Sequence, residues 1–507
     1  MVRLSERVKP FLKGRCIPAL FLFLLAIVIS FFNLRDFLSL VISKVPIPSS
    51  DVALYWYLAK KMQIDGVFLP SLKGVFFSPI YAFLLFIFSK IGNSITVASI
   101  FSSICFVLSS LLLFELVLKI FDDYKVAFLS SFLFILYKPV EFYAVLPIKT
   151  SFFIFILIFF LFCLAKAFRD EITICYFFSG ILFVIGYGTE GLFLPIALLV
   201  IGYSLLRFKI KVKDVMLFFI GLFICVSPFS IRNLVVNGEV YPFSRISGIH
   251  FYIGNSLGSN GFYRTVKGIR SNAFGHYYDA RIVAEHIERK KLTDSDVNRF
   301  WIRKAFKSIK QRPMMHLLLF LKKLLIVVNE FEYPNNFDIY VLEKNIRFLN
   351  INPFNFSFLF ALAAGGIVMY LLRREFNEIL LVAFAFPFIL SLFFIASRYR
   401  IIWVLFLMPF ASYFLIKAIQ SELVKRSVVI ALIAFFVSKM QILTLSEKKV
   451  IDNGFNVRVQ HAKELYKIEK SMSKSRRRNM LLEAKIFYNV GMWEIGDFIR
   501  RQAYKMK

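Results

Sequence analysis

An all-α integral membrane protein is the fold class this sequence predicts, and three observations predict it. Apolar residues make up 58% of the 507, with a mean hydropathy of +0.68, well beyond what a soluble core of this length uses. Phenylalanine alone supplies 64 residues. Thirteen apolar runs recur between residues 16 and 444, most of them near the length that a helix needs to cross ~30 Å of hydrocarbon. Several are short or hinge on Pro or Gly, so one or two are expected to be re-entrant or interfacial, giving about 11–13 transmembrane helices by the length rule.

The first run, 16–33, follows Arg3, Arg7, Lys9, Lys13 and Arg15, and no small-residue cleavage site comes after it. It predicts an uncleaved first span with the basic N-terminus in the cytoplasm. Arg207, Lys209, Lys211 and Lys213 mark a second cytoplasmic connection by the same rule. Strict alternation of all thirteen runs puts that connection on the wrong side, so at least one segment between 126 and 207 is expected to be miscounted. The division predicted is a transmembrane domain over 1–444 with a first extracytoplasmic loop at 34–76 and a long helical loop at 232–312, then a basic helical tail at 445–507.

The first loop carries Ser50-Asp51-Val52-Ala53-Leu54-Tyr55-Trp56-Tyr57-Leu58-Ala59-Lys60-Lys61. This predicts a short amphipathic helix at the bilayer surface, opened by an acid, with Tyr55 one turn behind it. A carboxylate at the mouth of a polytopic bundle is placed to serve as general base toward a lipid-borne substrate. It is also the residue type that caps a helix.

Two polar stretches break the membrane pattern. The loop at 232–312 exceeds an ordinary connection, which points to function. Its part at 277–311 is rich in helix formers, with apolar positions at Ile282, Ala284, Ile287, Phe300, Ile302, Ala305, Phe306 and Ile309. Leu292-Thr293-Asp294-Ser295-Asp296 supplies a helix start within it. We expect a small helical subdomain on the membrane. The tail at 445–507 carries fifteen Lys/Arg against seven Asp/Glu, and Ala484-Lys485-Ile486-Phe487-Tyr488-Asn489-Val490-Gly491-Met492 resembles half of a helical-repeat hairpin.

The net charge of +31 sits in loops and tails beside a bilayer, so anionic head groups and phosphate-bearing lipids are the expected partners, not nucleic acid. The five cysteines lie in or beside apolar runs without CxxC spacing and are expected as small core residues. His250, His276, His286, His316 and His461 show no ligand spacing, so no metal site is assigned from them. No repeat or low-complexity tract stands out.

In order along the chain, these pieces resemble the polytopic glycosyltransferases of the GT-C superfamily. Within it they are similar to glycosyltransferase family 39, the dolichyl-phosphate-mannose–protein mannosyltransferase and aminoarabinose-transferase group. The matching residues are Asp51-Val52-Ala53-Leu54-Tyr55 with Ala59, Pro79-Ile80-Tyr81, Ser227-Pro228-Phe229-Ser230-Ile231-Arg232-Asn233 and Tyr252-Ile253-Gly254-Asn255. Glu330-Phe331-Glu332-Tyr333-Pro334-Asn335-Asn336 and Ser397-Arg398-Tyr399-Arg400 complete the set, which covers about residues 16–418.

The resemblance implies a GT-C-type multi-span helical bundle that uses a polyprenyl-phosphate sugar as donor. It implies a lipid, glycan or protein acceptor, and an active site on the extracytoplasmic side of the cell membrane. Breaking a sugar–phosphate bond with inversion needs a base for the acceptor proton and cations for the leaving phosphate. Asp51 matches the family's first-loop acid and is the candidate base. Arg398 and Arg400 are candidates for a two-point grip on phosphate, or for anchoring a span at the interface, and Arg232 could grip phosphate likewise. Tyr55, Tyr81, Asn255 and Glu332 are further substrate-binding candidates, with packing (Tyr55), turn formation (Asn255) and capping or interfacial solvation (Glu332) as their alternatives. Asn335 and Asn336 are turn formers first. No cofactor is assigned; a divalent cation is possible, with Glu332 and its neighbour Glu330 as carboxylates for it. The chain departs from the resembled pattern at Lys149, where an acid often stands, and at Ser78, where a lysine does.

Two other classes stay open. A transporter or lipid-linked-glycan flippase would also be polytopic and basic, with Glu190 as its main intramembrane ionisable residue. A non-catalytic scaffold presenting its basic tail needs neither an acid-led first loop nor a long ordered insertion.

Overall fold

The structure is a computed structural model that describes residues 3–42, 50–67, 69, 79–92, 94–243, 245–270, 273, 275–418, 424–442, 481 and 500. The described residues are almost wholly helical. In chain order the helices are α1 (Arg3–Ile42), α2 (Ser50–Asp65), α3 (Pro79–Phe88), α4 (Ser94–Phe121), α5 (Tyr124–Leu136), α6 (Lys138–Ala144) and α7 (Lys149–Arg169). They continue as α8 (Ile174–Thr189), α9 (Phe193–Arg207), α10 (Val212–Asn237), α11 (Ser247–Asn255), α12 (Ala280–Glu288), α13 (Asp294–Gln311) and α14 (Pro313–Val328). The last are α15 (Ile339–Leu342), α16 (Arg347–Ile351), α17 (Phe356–Leu372), α18 (Glu378–Ser391), α19 (Ser397–Lys417) and α20 (Val424–Lys439).

Among the described residues, five helices are long and apolar enough to cross a membrane: Ile17–Leu40 within α1, Ile95–Phe121 within α4, α7, α10 and α19. A sixth is reached if α5 and α6, bent by 63°, form one broken span. The other expected segments are helical but shorter; α3, α8, α9, α17 and α18 run 10 to 17 residues. At 1.5 Å per residue, 17 residues cover about 25 Å, short of the ~30 Å hydrocarbon layer. The expectation of 11–13 spans therefore meets five or six helices of full length. The bend between α5 and α6 falls inside the stretch where alternation had already failed. Pro139 stands in the first turn of α6, and its missing N–H and ring end the run of α5.

The chain divides into two compact units. The first combines Met1–Val45, Ala98–Val226 and Leu317–Thr444. Here α17 packs on α19 and α20, α5 on α1 and α19, α7 on α8, and α18 on α9 and α19. Close approach of α17 and α19 depends on Gly366, where an added Cβ would sit 1.8 Å from the Phe410 carbonyl oxygen. The same device joins α8 to α10, since a Cβ on Gly180 would meet the Phe218 carbonyl oxygen at 2.0 Å.

The second unit combines Pro46–Val97, Ser227–His316 and Leu445–Lys507. The predicted helical subdomain is present, with α11 and α12 packed on α13. The anticipated helix start is a capping box: Thr293 accepts from the Asp296 N–H, and the Asp296 carboxylate accepts from the Thr293 N–H. The predicted basic tail lies outside the described residues, apart from isolated positions 481 and 500.

Candidate active site

In the second unit, α2 begins with Asp51 in its first turn, as expected, and Asp51 is half-buried. The helix itself is not an amphipathic surface helix. Val52, Leu54, Tyr55, Trp56, Tyr57, Leu58, Ala59 and Met62 are all buried, because the apolar centre leaves no polar face and confines charge to the ends. At its far end Lys61 and Asp65 form a buried i,i+4 ion pair at 3.4 Å. Tyr55 and Tyr81 are both fully buried and meet edge to face, ring centroids 5.0 Å apart at 72°, joining α2 to α3.

Arg232, near the end of α10, is buried and faces the same first loop. Its Nη2 donates to the Leu69 carbonyl oxygen at 3.0 Å and its Nη1 to Asn233 Oδ1 at 2.8 Å. Leu69 adopts φ +47°, a left-handed conformation that a side chain rarely takes. Asn233 Nδ2 in turn donates to the Tyr241 carbonyl at 2.7 Å. Thus Arg232 ties the first loop to the long loop's entrance.

The long loop is organised around Asp294. Its buried carboxylate accepts from the hydroxyls of Tyr241 and Tyr277, the latter at 2.8 Å, and pairs with Arg281. Burial, reinforced by the Asp294 charge, pushes both tyrosine hydroxyls well above the usual phenol range. They stay protonated as donors. Asn255 ends α11, with its Nδ2 donating to the Phe251 carbonyl at 2.9 Å and its own carbonyl 3.0 Å from His316 Nε2. Its role as a helix terminus is therefore met locally.

In the first unit, Arg400 is 1% exposed and its guanidinium is committed. It pairs with Glu332, donates to the Asn329 carbonyl, and lies 4.1 Å over the Phe356 ring. Asn329 Nδ2 donates to the carbonyls of Ser438 and Met440 at 3.0 and 2.9 Å, so the cluster also fastens the end of α20. Arg398, buried on the same helix, donates from Nη2 to the Tyr399 hydroxyl at 2.9 Å, and its guanidinium lies 5.0 Å from that ring's centroid. Glu332 donates its N–H to Tyr340 Oη at 2.9 Å. Burial pushes that hydroxyl up against the pull of this N–H.

The carboxylates offered for a divalent cation are thus engaged by cationic side chains: Glu332 by Arg400, and Glu330 by Lys439 at 2.5 Å. Among the described residues, no three His, Cys, Asp or Glu side chains cluster as a metal site. Asn335 and Asn336 lie buried in a bend. Lys149 pairs with Glu190 at 3.1 Å and donates to the Thr189 carbonyl at 2.7 Å, at the break between α8 and α9.

Several groupings escaped the sequence. His250 and His276 meet at 3.1 Å between Nε2 and Nδ1, and His276 Nε2 lies 2.8 Å from the Tyr263 hydroxyl. Glu141 is held by Asn33 and Asn352. The Asp294 network was also hidden; its only signal was the capping-box spacing one residue away.

Solved structures similar to this chain include two of one enzyme. One is the Archaeoglobus fulgidus oligosaccharyltransferase in its apo form, 15% identical over 95% of this chain and 59% of that one, with a TM-score of 0.45. The other is the same enzyme tethered to an acceptor peptide containing the NVT sequon, 15% identical over 95% of this chain and 58% of that one, with a TM-score of 0.44. This chain spans about three-fifths of the length of those structures. No family model and no curated protein matches it.

Proposed function

We propose that the protein is a multi-pass glycosyltransferase of the GT-C type in the cell membrane. It moves a sugar from a polyprenyl-phosphate donor to a lipid, glycan or protein acceptor on the extracytoplasmic side. The observation that carries this reading is the start of α19, where Arg398 lies buried in the first turn of a membrane-length helix. A helix N-terminus and a guanidinium both favour an anion in a medium where isolated charge is costly. The ordered motifs from Asp51 to Arg400 supply the rest of the support.

In this reading the Asp51 carboxylate takes the proton of the acceptor hydroxyl. The acceptor oxygen bonds to the sugar's anomeric carbon from the face opposite the phosphate. The carbon–oxygen bond to phosphate breaks, and its electron pair leaves with the polyprenyl phosphate. Arg398 is the phosphate ligand. Arg400, saturated by Glu332 and backbone carbonyls, is the strut that fixes α19, a revised part for a residue first weighed as the second prong of a phosphate clamp. Arg232 fixes the first loop, and Tyr55, Tyr81 and Asn255 shape the surroundings of Asp51 and of the long loop.

The test is product analysis with proteoliposomes and a radiolabelled polyprenyl-phosphate sugar. Transfer of label to an acceptor, lost in Asp51→Asn, supports the reading. Movement of intact lipid-linked sugar across the bilayer without cleavage would replace it with the flippase.

A further inference from the structure

We propose that Glu141 and Asn33 form a binding site for one monovalent cation of about sodium size. Glu141 stands in α6, just past the 63° bend, and is 2% exposed. Its Oε1 accepts from Asn352 Nδ2 at 2.8 Å and its Oε2 from Asn33 Nδ2 at 3.2 Å. Both partners are neutral amides, and among the described residues no cationic side chain lies within ion-pair distance of Glu141. The adjacent Lys138 is turned to Glu343, 2.7 Å away.

A second observation points into the same place. Asn33 is fully buried in α1, and its Oδ1, bonded to the same carbon as the Nδ2 that meets Glu141, finds no donor among the described residues. Asn352 has no donor left to offer Asn33, because its Nδ2 also serves the Leu136 carbonyl at 2.8 Å, while its Oδ1 is turned to the Phe354 N–H at 2.8 Å. The site is therefore rich in oxygen acceptors and short of positive charge.

A proton on Glu141 does not resolve this. On Oε2 it faces the Asn33 amide donors; turning the Asn33 amide accommodates it but leaves those donors buried without an acceptor. A cation held by Glu141 Oε2 and Asn33 Oδ1 satisfies both atoms together. All-oxygen ligation selects a hard cation. One carboxylate supplies one negative charge, so a monovalent ion leaves the site neutral, whereas a divalent ion leaves a buried positive charge. The ion would brace α1 against the bend that ends α5.

The test measures thermal unfolding of the purified full-length protein in detergent, in sodium chloride against choline chloride at equal ionic strength. A ligand at about 100 times its Kd should raise Tm by roughly 2–3 °C in a chain of this size. The expected result is a saturable rise with sodium, none with choline, and no sodium response in Glu141→Gln. Asn33→Asp, which adds a second carboxylate, should transfer the response toward magnesium or calcium. Equal Tm in sodium and choline would overturn the proposal, as would a response in the native protein to divalent ions only, or an undiminished sodium response in Glu141→Gln. Should Glu141→Gln not fold, the native protein and Asn33→Asp carry the same decision.

Discussion

Glu332 is ion-paired with Arg400, and the guanidinium it neutralises covers the Phe356 ring at 4.1 Å. The pair lies in a buried setting where neither charge can turn to water. Its first consequence is structural, because losing one partner of a buried pair strands the other charge.

Glu332→Ala and Arg400→Ala are therefore expected to destabilise the protein by about 3–5 kcal/mol each. Arg400→Lys should recover little, since an ammonium cannot reach Glu332, the Asn329 carbonyl and the Phe356 face together. Thermal unfolding in detergent measures this. Arg398→Ala, which gives up the contact with Tyr399, should weaken donor binding out of proportion to its effect on Tm; an unchanged donor affinity would reduce Arg398 to an interfacial anchor.

Asp51→Asn preserves size and one side-chain oxygen but removes the base. Transfer rate is expected to fall roughly 10²–10⁴-fold with expression and Tm unaltered. If the Asn variant turns over at the native rate after correct insertion, Asp51 has no part in the chemistry and serves only as an acid in the first turn of α2.

The first loop and the long loop should both face the extracytoplasmic side. Positive-inside bias should hold the basic N-terminus in the cytoplasm, and it weakens for loops beyond ~60 residues. Val67 and Lys267 are exposed, one in each loop. With the five native cysteines replaced, Val67→Cys and Lys267→Cys should react with an impermeant thiol reagent from the same side. Labelling from opposite sides would sink the shared-side topology.

Asp123 caps α5 and pairs with Lys417 at 2.7 Å. Burial alone would raise its pKa, but the Lys417 hydrogen bond and charge, with the Val126 and Lys125 N–H groups, hold it below the ordinary value. A depressed folded-state pKa gives stability that is complete above the unfolded value of about 4 and is lost as pH falls through the folded one. Unfolding midpoints taken from about pH 6 down to pH 3 should decline less steeply for Asp123→Asn than for the native chain.

Much of this protein follows from local residue order. Apolar runs such as the one inside α7 specify a membrane-length helix wherever they stand, and Thr293 with Asp296 starts α13 through contacts three residues apart. Asp51 at the head of α2 is legible for the same reason. What the helices bury is another matter. The charged ends of α2 suggested a surface position, and neighbours from outside its own sequence enclose it instead. Arg398 and Arg400 are alike in sequence; only the fold gives Arg400 its Glu332, while Arg398 rests on Tyr399. His250 and His276 are 26 positions apart, and Glu141 meets amides 108 and 211 positions away. Periodicity records which side of a helix is apolar, whereas a hydrogen bond or ion pair is fixed by two segments meeting, and that encounter exists only in the tertiary structure.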